Sequence, residues 1–400
     1  MKKKKLTFDE FKLSVLEDYR IVCESREASL LGRKEVLTGK AKFGIFGDGK
    51  EVAQVAMART FKHGDFRSGY YRDQTFMMAI GELSLDGIFA QLYANTNLSE
   101  EPASGGRQMN NHFATRSLDD QGEWKNLATQ YNSASDISPT GSQMPRLLGL
   151  AQASKFYRNN KILHNTKFSN NGDEIAYGTI GNASTSEGLF FETINAAGVL
   201  QIPMLLSIWD DGWGISVPTK YQTTKGDIYE ILKGFQRTQK KDGLQIYRVN
   251  GWDYTELCAT YIEASKLCRN HHIPAIIHVK EMTQPQGHST SGSHERYKTK
   301  QELDWERQFD CIKKMREWMI QKKISDNIQL ETIEADAKLK VKNAQVKAWN
   351  NYIEVLREEK NALCHIIESS CDLNSEIENN IFEKLQQKNI PNRKILISSA

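Results

Sequence analysis

Apolar positions along the chain follow two spacings. Phe8, Phe11, Val15 and Tyr19 recur every three or four residues and predict an amphipathic helix over residues 7–26. Short apolar runs at 175–180, 204–209, 244–249 and 275–280 have the length of buried strands. Helical patterns lie between them. One opens at Ser186-Glu187, carries Leu189, Phe190, Ile194, Ala197 and Val199, and ends at Pro203; others cover 225–235 and 254–270. Residues 51–61 and 149–157 read as further helices rich in small side chains. Strands alternating with helices predict an α/β fold, a parallel sheet flanked by helices with right-handed crossovers. Beyond residue 300 the strands stop. Trp305, Phe309, Ile312, Met315 and Met319 predict one amphipathic helix. Ile333, Ala337, Val341, Ala344, Ala348, Tyr352 and Val355 continue the spacing through a charged, glycine-free run. The expected division is an α/β domain over 1–325 and a helical connector over 326–390. At 391–400, Ile395-Leu396-Ile397 is expected to begin a further domain, as in the N-terminal part of a fusion.

Composition narrows the function. The 400 residues hold 53 Lys and Arg against 50 Asp and Glu, a net charge of +3, which argues against a nucleic-acid binder. The six cysteines (Cys23, Cys258, Cys268, Cys311, Cys364, Cys371) show no Cys-x-x-Cys and read as buried thiols of a reducing compartment. No apolar run is long enough to span a membrane. The lysines at 2–5 have no apolar run behind them, which argues against a secretory signal. The expected location is the cytoplasm, as of a bacterial cell.

Candidate chemistry gathers where two strands end. If 175–180 and 204–209 are parallel neighbours, Gly181-Asn182-Ala183 and Asp210-Asp211 lie side by side at the carboxyl edge of the sheet, where such sheets bind ligands. Small residues and a helix start favour an anion such as phosphate. The amide oxygen of Asn182 and the carboxylate of Asp211 would suit magnesium beside it. An ordinary βαβ unit whose Asn and Asp cap turns would look the same. Arg72 in Gly69-Tyr70-Tyr71-Arg72-Asp73 is built to fork onto phosphate, or to pair with Asp73. Residues 95–112 form a long polar loop. Ser138 and Thr140 precede a helix and suit a cap or turn. His288 stands in a polar loop after a core strand, a usual place for a catalytic histidine. His278 reads as a core residue, and His271 and His272 as exposed helix-end residues.

Taken together, these segments resemble the thiamine-diphosphate enzymes, whose diphosphate–magnesium motif is a Gly-Asp-Gly followed at a distance by Asn-Asn. Here Gly181-Asn182-Ala183 and Asp210-Asp211 are separated by twenty-six residues. Ser186-Glu187-Gly188, Gly214-Ile215-Ser216, Gly49-Lys50-Glu51-Val52-Ala53 (for a Gly-x-Glu-Ala segment), Tyr71-Arg72 and His288-Ser289-Thr290-Ser291 are similar to the α subunit of the 2-oxoacid dehydrogenases, their decarboxylating first component. The resemblance covers roughly residues 5–320. It implies a thiamine-diphosphate-binding fold with a C-terminal helical extension. It implies cofactor contacts from Tyr71, Arg72, Ser138, Thr140, Gly181, Asn182, Ala183, Ser184, Asp211 and His288. Asn182, Asp211 and the backbone carbonyl of Trp213 would hold Mg2+, and His288 would assist acyl transfer.

The sequence also departs from the family. Asn182 stands for Asp or Glu and Asp211 for Asn, an exchange that keeps one carboxylate and one amide, so metal binding is expected to survive. Ala183 adds a methyl group that a negative φ would tolerate. Trp209 and Gln284 replace frequent arginines, removing one or two phosphate contacts. Gly106-Arg107-Gln108-Met109 and His112 are closer to the branched-chain, 2-oxoisovalerate-type enzymes than to the pyruvate ones.

The implied reaction is decarboxylation of a 2-oxoacid by the thiazolium carbanion, followed by reductive acylation of lipoyl-lysine on the acyltransferase component. The implied partners are a β subunit or fused β half in an α2β2 assembly, supplying the Glu that activates the aminopyrimidine, and a lipoyl domain. A pyruvate or acetoin enzyme is one rival reading. A non-catalytic scaffold with a degenerate motif at Asn182, Ala183 and Trp209 is another. A stand-alone transketolase-type enzyme is disfavoured for want of a pyrimidine-binding domain.

Overall fold

The computed structural model describes residues 7–290, 292–370 and 375–400. The lysines at 2–5, Ser291 and Cys371 lie outside them. The chain forms strands β1 (Phe66–Ser68), β2 (Asn132–Ser133), β3 (Ala176–Gly181), β4 (Met204–Trp209), β5 (Trp213–Gly214), β6 (Val217–Pro218), β7 (Gln245–Asn250) and β8 (Ala275–Lys280). β5 and β6 make a small antiparallel ribbon. The other six form one parallel sheet in the order β2-β1-β3-β4-β8-β7.

The central strands are apolar because both their faces are covered. Alternate residues serve different layers. Tyr177, Leu205 and Ile277 pack with Val52, Val55 and Tyr261 on one face. Ala176, Leu206 and Ile276 pack with Leu147, Phe190 and Ile194 on the other. The helices behind these contacts include Glu51–Ala58, Gln143–Asn159, Gly188–Leu200 and Tyr254–His271.

Three helical expectations are corrected. The first helix runs Phe8–Leu37, opened by a capping box between Thr7 and Glu10. Its second half buries Ser25, Ala28, Ser29 and Gly32, small residues that leave no apolar signal. A Cβ on Gly32 would lie 2.6 Å from the Phe46 ring, so the close approach itself extends the packed face. The expected single helix over 305–319 is two, Lys300–Gln308 and Cys311–Gln321. The break falls at Asp310, whose Oδ1 caps the second by accepting from Ile312 N at 3.1 Å and Lys313 N at 3.2 Å. Its Oδ2 pairs with Arg26 at 2.7 Å.

The charged run is one helix, Asn327–Ser370, and its first half is docked on the α/β domain rather than lying between domains. Val341, Ala344 and Ala348 pack with Ala28, Ile88 and Phe89. Gln345 donates to Glu35 Oε2 at 3.1 Å and to Tyr93 OH at 3.0 Å. Beyond it, Ile367, Phe382, Leu385 and Leu396 form a separate small cluster. The run 395–397 lies in a helix, Arg393–Ser399.

Candidate active site

β3 and β4 end in register, Gly181 beside Trp209, so their two turns are adjacent. Asn182 N donates to Trp209 O at 3.1 Å and locks the first turn onto the second strand. A short 3-10 turn, Ala183–Ser186, follows and leads into Gly188–Leu200. The helical conformation of that turn accommodates the Ala183 methyl group. After β4, Asp210 Oδ1 accepts from Gly212 N at 2.9 Å, and Asp211 Oδ1 accepts from Trp213 N at 3.1 Å. Gly212 has φ +79°, which favours glycine. The ribbon β5–β6 then folds over the first turn, and a Cβ on Gly214 would meet the Ala183 Cβ at 2.6 Å.

These turns open onto a cavity of about 480 Å³. Tyr71, Arg72, Thr140, Gly181, Asn182, Ala183, Ser184, Asp211, Trp213 and His288 all line it. Ser138 is not among its lining residues. Its Oγ lies 3.0 Å from His112 Nε2, and the buried His112 ring has its Nδ1 3.2 Å from Asn110 O. The His112 ring, 6.1 Å from that of Tyr71, links the exposed Ser138 to a residue of the cavity lining. Asn182 is 4% exposed, and its Nδ2 donates to Thr219 Oγ1 at 3.3 Å.

Arg72 does not pair with Asp73. Asp73 accepts from Arg67, which also reaches Asp136, all three wholly buried. Arg72 instead donates to Phe46 O at 2.6 Å and to His288 O at 3.0 Å. It ties the loop before Lys50 to the His288 loop while facing the cavity. His278 is buried but not purely apolar in its surroundings, since its Nε2 lies 2.7 Å from Asp210 Oδ2. His272 is likewise buried, at 6% exposure, as the left-handed cap (φ 53°) of the helix Tyr254–His271. It was expected on the surface, but that cap geometry turns its ring inward, with Nε2 3.1 Å from Gly172 O.

Sequence reasoning missed Lys50. It is 1% exposed and lies on the cavity wall. Its ammonium donates to Asp211 Oδ2 at 3.0 Å, Thr283 O at 3.0 Å and Gln284 Oε1 at 2.7 Å. Only the two unexpected replacements that surround it, Asp211 and Gln284, could have signalled it. Phe43, Ile45, Glu187, Ile215 and Gln222 were also missed as lining residues.

The charges at this end are coupled. Burial alone would raise the Asp211 carboxyl, but Lys50, His288 and Arg72 outweigh it and hold it well below the usual carboxylate range. Burial pushes Lys50 down, against the pull of Asp211. Burial also lowers His288, with Arg72 and Lys50 adding to it and Asp211 opposing, so the ring is neutral at neutral pH. His288 Nε2 lies 3.4 Å from Asp211 Oδ2, and its Nδ1 is buried without a partner.

The implied cofactor fits this arrangement. Arg72 and Lys50 against Asp211 leave a net positive end for a diphosphate, and the unpartnered His288 Nδ1 supplies a polar atom beside it. Phe43, Ile45, Trp213, Ile215 and Val217 supply apolar surface for a ring system. The expected divalent-cation set fits less well. Oδ2 of Asp211 already carries Lys50 and faces His288, and Oδ1 holds the Trp213 N–H. That is not the open oxygen cage that Mg2+ takes.

Comparison with known proteins agrees with this geometry. A family model described as "Dehydrogenase E1 component" matches residues 25–355. The 2-oxoisovalerate dehydrogenase subunit alpha of Bacillus subtilis (strain 168) is 27% identical over 277 residues, covering 69% of this chain and 72% of that protein. The mitochondrial 2-oxoisovalerate dehydrogenase subunit alpha of Mus musculus is 25% identical over 308 residues, covering 76% of this chain and 61% of that protein. The pyruvate dehydrogenase E1 component subunit alpha of Rickettsia bellii is 24% identical over 204 residues, covering 51% of this chain and 56% of that protein. The matched spans thus fall below two thirds of the length of the mouse and rickettsial relatives.

Proposed function

Because the chain belongs to the dehydrogenase E1 component family, we propose that it is the α subunit of a thiamine-diphosphate-dependent 2-oxoacid dehydrogenase of the branched-chain type. One observation carries this reading. Five segments far apart in sequence, at Tyr71-Arg72, Thr140, Gly181–Ser184, Asp211–Trp213 and His288, meet around one cavity at the carboxyl edge of β3 and β4. The cofactor, when bound, supplies the nucleophilic carbon and the electron sink for decarboxylation. The protein supplies the rest. Arg72 is pre-oriented by the Phe46 and His288 carbonyls and presents fixed positive charge to the diphosphate. Phe43, Ile45 and Trp213 would give the ring end apolar surface to pack on. His288, neutral and facing Asp211, can take or return a proton as the acyl group moves to a lipoyl carrier.

The partners follow from the same reading. Phe43, Ile215 and Val217 line the cavity yet are 38%, 68% and 42% exposed. Apolar side chains exposed at a cavity mouth suit cover by a second subunit. That subunit is the β chain or β half, in an α2β2 assembly that passes its acyl group to a lipoyl domain. A cytoplasmic location belongs to the same proposal. The substrate choice rests on the 2-oxoisovalerate relatives and is open to direct test. With the β partner and thiamine diphosphate present, kcat/KM for 3-methyl-2-oxobutanoate should exceed that for pyruvate. A preference for pyruvate would move the chain to the pyruvate type.

A further inference from the structure

The strongest departure from expectation in the site is its resident cation. Lys50 is wholly buried, and its three ammonium hydrogens match three acceptors, Asp211 Oδ2, Thr283 O and Gln284 Oε1, at 2.7–3.0 Å. The position is enforced by the backbone. Gly49 has φ +86°, and a Cβ there would lie 2.1 Å from Thr283 O, so only glycine lets this loop close onto the 283–284 segment. The loop is tied down again by Gln286 N, which donates to Asp48 Oδ2 at 3.0 Å.

Three features of the sequence meet at this one atom. A carboxylate stands at 211 and a neutral amide at 182, an uncharged Gln stands at 284, and a lysine stands at 50. An arginine at 284 would set a second buried cation against Lys50, whereas the Gln284 amide oxygen accepts from it. The carboxylate at 211, with Oδ2 taken by Lys50 and Oδ1 by the Trp213 N–H, is the group that neutralises it. Asn182, the residue left without a charge, turns its amide to Thr219.

We propose that Lys50 takes the place of the divalent cation: its ammonium is the fixed positive charge at Asp211, and the site binds a diphosphate without a metal ion. This rests on the thiamine-diphosphate reading above. Around Asp211, Arg72 and Lys50 set two cations against one carboxylate without any bound ion, while Glu187 also lines the cavity. The arrangement is preorganised, since all of Lys50's partners belong to the chain itself.

Titration calorimetry of thiamine diphosphate into the assembled α and β chains tests this, in EDTA and again in millimolar MgCl2. The expected Kd is the same within about twofold in the two buffers. Lys50→Gln, which frees Asp211, should weaken binding at least about tenfold in EDTA and regain it with MgCl2. A wild-type Kd at least tenfold weaker in EDTA than in MgCl2 would overturn the proposal and leave the cofactor reading intact. So would a folded Lys50→Gln assembly that binds as well as wild type in EDTA. Absence of thiamine diphosphate binding in both buffers would overturn the cofactor reading and this proposal with it. The wild-type comparison stands even if the variant fails to fold.

Discussion

His288 is held neutral by burial, and Asp211 only partly offsets that effect. Acid must therefore reach below the ordinary histidine value of 6.5 before the ring is protonated. Acyl transfer to a lipoyl domain should lose rate on an acid limb that lies below that value. His288→Asn should lower transfer about a hundredfold or more and remove the limb. Transfer that is insensitive to the substitution would remove His288 from the reaction. His272 makes a different prediction, about stability. Burial, with Arg158 adding to it, lowers its pKa from 6.5 to about 4. Between those values the unfolded chain binds a proton that the folded chain does not. Its contribution is full above pH 6.5, is lost as the pH falls towards about 4, and is constant below that. His272→Asn keeps a residue that tolerates the left-handed cap. Its denaturation midpoint should fall less between pH 7 and 4 than that of wild type, and parallel profiles would refute this. At this scale the site was legible where residue type carries the chemistry, as at Arg72, Asp211 and His288. Lys50 was not legible, because a loop lysine reads as solvated. The acceptors that bury it lie 233 and 234 residues further along.

Among the elements, β3, β4 and β8 were readable because strands covered on both faces must be continuously apolar. β1 and β2, three and two residues long, leave no pattern to read. The second half of Phe8–Leu37 was hidden for a related reason, since Ser25, Ser29 and Gly32 pack by closeness rather than by apolar area. The ribbon β5–β6 shows that closeness at the site itself. Gly214→Ala would set two methyl carbons 2.6 Å apart across the Ala183 turn and push the ribbon off it. Thiamine diphosphate affinity should fall about tenfold, roughly 1.4 kcal/mol, with the fold retained. Ala183→Gly in the same chain should restore part of the loss, because it removes the Ala183 partner of the clash and leaves only the Gln222 amide, 2.7 Å away at the end of a flexible side chain. Equal affinity for the single and double variants would show that the contact is not what sets the turn.

At the level of the whole molecule, the long C-terminal helix belongs in part to the domain. Its first half is anchored through Val341, Ala344 and the Gln345–Glu35–Tyr93 network. The periodicity of Ile333 to Val355 foretold a helix but not its docking, which depends on small residues of the first helix meeting it. No residue of this helix lines the cavity, whose mouth is rimmed by Phe43, Ile215 and Val217 and leaves apolar surface exposed. On the proposed reading, this chain holds one part of a thiamine diphosphate site that a β partner completes. Release of carbon dioxide from 3-methyl-2-oxobutanoate tests it most directly, measured for the chain alone, the partner alone and both together, with and without thiamine diphosphate. Release only from the two chains together, and only with the cofactor, is the predicted result; an assembled pair that releases none with thiamine diphosphate present would contradict it.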